Sequence, residues 1–159
     1  PGSQHSHPCE TGDPGVSKFA QGKFIPKNPD KYIGKRYPLF RSSWELVFCN
    51  FCDNHPSVLK WASESIAIPY RCPLAKCQKS YIPDFFIQYI DKTGAVHMEV
   101  VEIKPFKETG AARTRNQRDI LVSARNQAKW MSAMAYCKKN GMEFRVLTER
   151  EIFALGGNQ

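Results

Sequence analysis

The sequence predicts a layered α/β or α+β domain, and three observations support that class. Helical and strand-like patterns follow one another in the order α-β-β-β-α-β-α, as in a sheet covered by helices. The chain has 159 residues, enough for one domain with a sizeable core. Its composition is 42% hydrophobic and 24% charged, which excludes a disordered or fibrous chain.

The termini and the cysteines indicate in which compartment the protein is expected. No apolar run approaches the roughly 18 residues of a transmembrane helix, and the polar N-terminus lacks the apolar core of a secretory signal. Six cysteines are too few for a disulfide scaffold in a chain of this length. We therefore expect no membrane contact and a reducing compartment, the cytoplasm.

The net charge of +8 is distributed unevenly. Residues 17–41 hold seven bases and one acid, residues 42–103 hold five bases and seven acids, and residues 104–150 hold eleven bases and four acids. An acidic middle between basic flanks suits a cation site bordered by phosphate contacts. The alternative is an ordinary solvated surface, which charge alone leaves equally open.

The N-terminal region divides into two parts. Residues 1–16 are rich in Gly, Pro, Ser and His without periodicity, and they are expected to be a disordered arm or an expression remnant. Gly and Pro punctuate residues 17–40, which predicts an extended basic arm lying on the domain. The domain itself is expected to span residues 41–159.

Periodicity and turn residues define the elements of that domain. Apolar residues at three-to-four spacing behind Ser42 or Ser43 predict the first helix, and Gly141 follows the end of the long one. Thr148 and Glu151 have the spacing of a capping box that opens a last short helix. The predicted bounds are a helix over 41–53, strands over 65–70, 81–90 and 96–104, a helix over 112–139, a strand over 143–147 and the last helix from 148.

The long helix carries an apolar stripe that we expect to face the core. The members of this stripe are Ile120, Leu121, Ala124, Ala128, Met131 and Ala135. Trp44 and Trp61 are also expected in the core.

The register of the predicted hairpin decides which polar side chains meet. A three-residue loop that ends at Gly94, with this glycine in the left-handed conformation, places Asp84 opposite Glu102. A two-residue loop would put the two acids on opposite faces. The glycine favours the longer loop. Lys104 is two positions after Glu102 and therefore shares its face.

Two carboxylates across one strand pair are a costly like-charge arrangement that a divalent cation relieves. Asp84, Glu102, the carbonyl of Ile103, waters and a phosphate oxygen suit Mg²⁺ or Mn²⁺. Such a cation lowers the pKa of its water and neutralises charge on phosphate, and Lys104 is placed to position or help deprotonate that water. The alternative is an edge aspartate with a Glu-Lys surface pair.

Taken in order, these residues resemble a known nuclease superfamily. Pro83-Asp84, followed after a gap by Glu102-Ile103-Lys104, resembles the pattern of the PD-(D/E)xK restriction-endonuclease-like nucleases. A helix that carries a glutamate commonly precedes this pattern, and Glu45 matches that position. Further segments are similar to the head completion nucleases of large tailed phages, and they are Gln21-Gly-Lys-Phe, Pro26-Lys-Asn-Pro, Arg41-Ser-Ser-Trp-Glu-Leu, Trp61-Ala-Ser-Glu and Ile68-Pro-Tyr.

The resemblance covers about residues 18–150. It implies a restriction-endonuclease-like α/β core, in which a mixed central β-sheet is flanked by helices. It also implies a metal-dependent DNA endonuclease that completes a DNA-filled head before the tail attaches. Carried over by position, Glu45, Asp84 and Glu102 are acidic metal ligands and Lys104 is the catalytic lysine, with Mg²⁺ or Mn²⁺ as the cofactor.

Basic residues outside the hairpin are candidate DNA contacts. The candidates lie in the arm and on or just before the long helix, and they are Lys23, Lys27, Arg113, Arg115, Arg118, Arg125 and Lys129. A solvated helix face is the alternative for the helical ones. Docking on a capsid protein, or packing of the arm's rings on its own domain, is the alternative for the arm.

Cysteines raise the question of a structural zinc site, and the four concerned are Cys49, Cys52, Cys72 and Cys77. The second pair lacks the usual ligand spacing, so buried free thiols are expected rather than zinc.

Three functions follow as hypotheses. The first is a Mg²⁺-dependent DNA endonuclease of phage head completion, in the host cytoplasm or associated with the virion. Its expected partners are DNA and capsid or portal proteins, with a homodimer where both strands are cut. The second is a non-catalytic head-completion or portal-binding protein that keeps the nuclease fold. The third is the endonuclease subunit of a heteromeric cut-and-paste transposase, which is similar through the Trp-Glu, Pro-Tyr and Pro-Asp-Phe parts of the chain.

Overall fold

A computed structural model of the chain describes residues 21–109 and 116–156. Two short strands, β1 (Gly22–Lys23) and β2 (Leu39–Phe40), pair within the basic arm. The elements of the domain are α1 (Ser43–Asn54), β3 (Val58–Ser63), β4 (Ile68–Cys72), β5 (Cys77–Tyr81), β6 (Phe85–Ile90), β7 (Val96–Ile103), α2 (Gln117–Lys139), β8 (Glu143–Leu147) and α3 (Glu149–Gly156).

Four strands form the central sheet in the order β3-β6-β7-β8. The first three run antiparallel to their neighbours, whereas β8 runs parallel to β7. A parallel neighbour requires a crossover connection, and α2 lies in that connection. The sheet is therefore mixed and flanked by helices, which confirms the predicted fold class.

The β6–β7 hairpin has the predicted register. Phe85 pairs with Val101, and Gly94 has a φ of +88°, the left-handed conformation that the three-residue loop requires. Asp84 lies one position before this pair, and Glu102 lies one position after it. The register thus brings the two acids to the same end of the hairpin.

Helices cover both faces of the central sheet. On one face α1 and α3 pack around Trp61 and Phe85, which are 0% and 2% exposed, so the prediction of Trp61 as a core residue is confirmed. Trp44 packs partly buried against the same core. The other face is covered by α2 and by the separate two-stranded β4–β5 sheet, which meet around Tyr81 and Trp130.

The described part of the basic arm packs on the first face. The rings of Tyr32 and Phe24 meet Trp61 edge-on, with centroids 4.8 and 5.9 Å from its ring. Buried Asp53, near the end of α1, accepts the backbone N–H groups of Lys27 and Asn28, each at 2.9 Å. The described arm is therefore held to its own domain. Residues 1–16 lie outside the described residues, and the predicted domain bounds stay predictions.

Two capping boxes begin the outer helices. At α1, Ser42 Oγ accepts the Glu45 N–H at 3.1 Å. At α3, Glu151 Oε2 accepts the Thr148 N–H at 2.7 Å and the Thr148 hydroxyl at 2.6 Å, which confirms the predicted box. Among the helices that the structure describes, none is long and apolar enough to cross a membrane.

The strand prediction misses β3 and β5 and misplaces β4. In β3 a bulge near Val58 breaks the alternation of buried and exposed residues, so the segment shows no period of two. In β5 only Tyr81 is buried, and its polar run gives no strand signal. The strand predicted over 81–90 begins at Phe85, because residues 82–84 lie between β5 and β6.

The predicted core-facing stripe of α2 is wrong. Ile120 and Met131, two of its members, are 48% and 65% exposed. The face that α2 buries consists of Asn126, Trp130, Ala133 and Cys137. This face includes the polar side chain of Asn126. Its burial is tolerated because its amide donates a hydrogen bond to the Glu108 carbonyl at 3.2 Å. Hydrophobic periodicity therefore selects the solvent side of this helix.

Candidate active site

Three acidic side chains and a lysine meet at one end of the central sheet. Asp84 directly precedes β6, Glu102 is the residue before the last in β7, and Lys104 follows that strand. Glu45 comes from the first turn of α1. Three segments thus supply the four residues that the sequence singles out, and they are α1, the start of β6 and the end of β7.

Asp84 is fixed by the neighbouring strand. Its Oδ2 accepts the backbone N–H of Ile103 at 2.8 Å, which continues the hairpin ladder through a side chain. Its carbonyl accepts the N–H of Glu64 at 2.9 Å. Both contacts fix the carboxyl group at the mouth of the hairpin, beside Glu102 and Lys104, whose charges act on it.

Glu102 is the most enclosed of the three acids, at 5% exposed. The hydroxyl of Tyr81 donates a hydrogen bond to its Oε2. Burial, and then the charge of Glu102, raise the pKa of Tyr81, so this hydroxyl remains a donor at all ordinary pH values. The side chain of Glu102 is therefore held from the β4–β5 sheet, which contributes no strand to the central sheet.

The carboxyl group of Glu45 both caps α1 and contacts the acidic cluster. Its Oε2 accepts the N–H of Arg41 at 2.6 Å and the hydroxyl of Ser42 at 3.2 Å, which completes the capping box of α1. The same carboxyl group lies against Asp84, with which it shares a hydrogen bond when one of the two is protonated. A structural cap therefore reaches the acidic cluster as well.

Crowding of these acids shifts their proton affinities. Burial, and then the charge of Asp84, raise the pKa of Glu45 to about 7. Burial, and then the charge of Glu102, raise the pKa of Asp84 well above its usual range. Burial also raises the pKa of Glu102, although Lys104 and the Tyr81 hydroxyl oppose the shift. The three carboxyl groups therefore bind protons more tightly than isolated carboxyl groups do.

The donor atoms are of the type that hard divalent cations prefer, because they are carboxylate oxygens with a backbone carbonyl nearby. The raised proton affinities fit such an ion, since a proton and a metal compete for the same oxygens. Within residues 21–109 and 116–156, however, no group of three His, Cys, Asp or Glu side chains is arranged as a ready metal site. The metal roles of Glu45, Asp84, Glu102 and Ile103 therefore stay predictions.

A second lysine reaches the site from α2. Lys129 Nζ lies 5.5 Å from the ring centroid of Tyr81 and 5.8 Å from that of Tyr70, and its charge acts on Glu102. Burial, followed by the charges of Lys104 and Arg125, lowers the pKa of Lys129. The sequence predicts this lysine as a DNA phosphate contact, and the structure places its charge beside Glu102.

The other predicted DNA contacts lie further out. Lys23, Lys27 and Arg118 are exposed, and Arg125 lies half-buried next to Lys129. Arg113 and Arg115 lie outside the described residues. The DNA-binding role of each of these residues stays a prediction.

The four cysteines considered for zinc fall on two sides of the molecule. Cys49 and Cys52 are buried in the core under α1, whereas Cys72 is buried in the core under α2. Cys72 and Cys77 face each other across the end of the β4–β5 sheet. All four are free thiols, and the sheet separates one pair from the other.

The contact between Tyr81 and Glu102 escapes sequence reasoning. Tyr81 appears at the start of a predicted long strand, whereas it ends a strand of another sheet. The pairing of Ile68 with Tyr81, in a hairpin whose second strand gives no strand signal, brings this hydroxyl to the site. The Pro83 that separates the two strands is the one local signal of the break.

Comparisons with known proteins agree with this arrangement. Residues 55–149 match the family described as TnsA-like endonuclease N terminal. The chain is also 35% identical over 146 residues to the head completion nuclease of Enterobacteria phage T4, which covers 85% of this chain and 95% of that protein. The family match includes Asp84, Glu102, Lys104 and Lys129, while Glu45 precedes it.

Proposed function

This chain belongs to the TnsA-like endonuclease family, and we propose that it is a Mg²⁺-dependent DNA endonuclease that completes phage heads after DNA packaging. The observation that carries the proposal is the meeting of Glu45, Asp84, Glu102 and Lys104 at one end of the sheet. Endonuclease activity follows from the family, and the head completion role follows from the similarity to a nuclease of that name over most of both chains.

The three carboxyl groups would hold Mg²⁺ or Mn²⁺, with the carbonyl of Ile103 as a further ligand. When bound, the cation supplies a water of lowered pKa and neutralises charge that develops on the scissile phosphate. Lys104 would orient the attacking water and stabilise the negative charge that develops on the phosphate, since it follows Glu102 on the same face and its charge acts on Asp84. Asp84 stays aligned through its bond from the Ile103 N–H.

The basic residues supply the DNA surface in this proposal. Lys23 and Lys27 in the arm and Arg118 and Arg125 on α2 would contact backbone phosphates, as would Arg113 and Arg115 just before that helix. Capsid or portal proteins would bring the enzyme to the packaged DNA, in the infected cell or on the virion. Cleavage of both strands would require two sites and therefore a homodimer.

Plasmid cutting tests the proposal directly. Supercoiled DNA is incubated with Mg²⁺ or Mn²⁺ and wild-type protein, beside Asp84→Ala, Lys104→Ala and an EDTA control. Nicking or linearisation that needs the metal and is lost in both folded variants is the expected result. Cutting by either variant at the wild-type rate would remove the mechanism, and absence of cutting by folded wild type would favour a non-catalytic head protein.

The family match also favours a second candidate, cleavage of transposon ends. That function requires a partner transposase and defined DNA ends. If the purified chain cuts plasmids that lack such ends, it requires neither the partner transposase nor the transposon ends.

A further inference from the structure

We propose that the β4–β5 sheet and α2 form a positioning device for the active site, in which Tyr81 sets the orientation of Glu102 and two tyrosine rings hold Lys129 against the scissile phosphate. This inference rests on the proposed nuclease function. It gives a role to a small sheet that adds no strand to the central one.

The first part of the device is the bond from Tyr81 to Glu102. Tyr81 is 4% exposed and Glu102 is 5% exposed, so the contact is buried away from bulk solvent. The Tyr81 hydroxyl binds Oε2 of Glu102. Because that bond fixes the orientation of the carboxylate, it also fixes the position of Oε1. Groups that orient a ligating carboxylate in this way usually matter about 10- to 100-fold for metal affinity or activity.

The second part is the platform under Lys129. Its ammonium group lies within 6 Å of two tyrosine centroids, Tyr70 and Tyr81, a distance typical of cation–π contacts. The two rings also pack edge-to-face, with centroids 6.5 Å apart at 83°. A flexible lysine side chain is thereby held in one direction, toward Glu102.

The position of the Lys129 ammonium group is electrostatically unfavourable in the absence of DNA. It is partly desolvated, and the neighbouring cations Lys104 and Arg125 repel it. A hydrophobic side chain would pack over the tyrosine rings without that cost. Three cations around one carboxylate cluster become favourable when a DNA phosphate enters, and Lys129 is the one that lies over the tyrosine rings.

Tyr81 and Lys129 have different roles in this device. Tyr81 is a positioning residue, because it acts through Glu102. Lys129 would contact the phosphate itself. The two roles predict opposite effects on metal binding, since loss of the tyrosine hydroxyl releases a ligand, whereas loss of the lysine charge removes a cation that competes with the metal.

The test for Tyr81 is the variant Tyr81→Phe, which keeps the ring and removes the hydroxyl. Tyr89→Phe is the matched control, because the Tyr89 hydroxyl donates to Glu99 Oε1 at 3.0 Å on the other face of β7. We expect Tyr81→Phe to weaken Mn²⁺ binding, measured by calorimetry without DNA, and to lower kcat about 10- to 100-fold with little change in KM for DNA. Tyr89→Phe leaves all three values at the wild-type level.

The test for Lys129 is Lys129→Met, which keeps the apolar stem over the rings, with exposed Lys138→Met as its control. We expect kcat to fall about 100-fold while Mn²⁺ binding stays equal or becomes tighter. Weakened Mn²⁺ binding in both Tyr81→Phe and Lys129→Met would indicate a merely structural role and overturn the inference. So would wild-type cutting by either variant. Failure of the wild type to cut DNA would instead overturn the proposed function.

Discussion

Strand β7 carries two buried glutamates, and their surroundings differ in an instructive way. Glu99 is 4% exposed and Glu102 is 5% exposed, and each accepts a hydrogen bond from a tyrosine hydroxyl. Each also has a cation nearby, which is Arg145 Nη1 at 3.8 Å for Glu99 and the charge of Lys129 for Glu102. Burial, a tyrosine bond and a cation are therefore common to both.

The difference lies in the neighbouring acids, which are buried or half-buried beside Glu102 and exposed beside Glu99. Glu102 faces Asp84 across the hairpin end, and the Asp84 carboxyl contacts Glu45. Glu99, on the opposite face, lines a cavity with Phe48, Phe51, Arg145 and Glu151, and it pairs with Glu143 of β8. A buried carboxylate on a strand is thus not a site by itself, and the chemistry comes from convergence of carboxyl groups from separate elements.

The largest expected effect concerns the cations beside the two glutamates. Lys104→Ala should lower the rate of plasmid cutting about 100- to 1,000-fold, because the lysine would act on water and on charge in the transition state. Arg145→Ala should change the rate less than about twofold, because its exposed guanidinium serves only the non-catalytic face. Initial rates of loss of supercoiled DNA measure both, and equal losses would remove the distinction between the faces.

The pH dependence of stability should separate the two capping boxes. Glu45 has a pKa raised to about 7 from the ordinary 4.5, by burial and then by Asp84. The pKa of Glu151 is lowered, because the hydrogen bonds from Thr148 together outweigh its burial. Folded Glu45 retains a proton that the unfolded chain releases, so stability present below pH 4.5 is lost as the pH rises to about 7, by about 3 kcal/mol.

Urea unfolding in EDTA between pH 4.5 and 8 measures this effect. Glu45→Gln should flatten the fall in stability with rising pH. Glu151→Gln should leave the slope over this range nearly unchanged, since a lowered pKa gives stability that is lost only below the ordinary pKa of 4.5. A Glu45→Gln curve parallel to that of the wild type would contradict the electrostatic account of the cluster.

Removal of one acid should stabilise the metal-free protein. Asp84→Asn relieves repulsion with Glu102 and keeps an oxygen to accept the Ile103 N–H. We expect its free energy of unfolding at pH 8 in EDTA to rise by about 1 to 2 kcal/mol. Glu99→Gln should give no such gain, because the acids nearest to Glu99, which are Glu143 and Glu151, are exposed to water. A loss of stability in Asp84→Asn would show that the acids do not repel one another.

The smallest expected effect concerns DNA affinity. Arg118→Ala should weaken DNA binding a few-fold, by about 0.5 to 1 kcal/mol, and should lower the slope of log affinity against log salt by about 1. Arg145→Ala, on the opposite side of the sheet, should leave both unchanged. Fluorescence anisotropy at several salt concentrations gives both quantities, and equal effects of the two arginines would place the DNA elsewhere.

The sequence predicts the hairpin end of the site because the relevant information is local. Gly94 alone fixes the loop length, and the loop length fixes which face Asp84 shares with Glu102. Glu45 is separated from them by the β3, β4 and β5 segments, so only resemblance to a family connects it to the cluster before the fold is known.

The rest depends on packing that a single sequence does not encode locally. Hydrophobic periodicity selects the exposed side of α2, because the buried side includes the hydrogen-bonded Asn126. The same helix carries Lys129 toward the acids, and its partner Tyr81 lies in a strand whose other residues are mostly exposed. Residues that act through tertiary neighbours therefore escape detection, whereas residues set by a turn do not.

The central claim is that Glu102, and not its equally buried neighbour on β7, belongs to the nuclease centre. Cutting of supercoiled plasmid in Mg²⁺ by Glu102→Gln and by Glu99→Gln, at matched concentrations of folded protein, tests it most directly. The account predicts that cutting is lost in Glu102→Gln and stays within about twofold of wild type in Glu99→Gln. Retained cutting in Glu102→Gln, or equal loss in both variants, would contradict it.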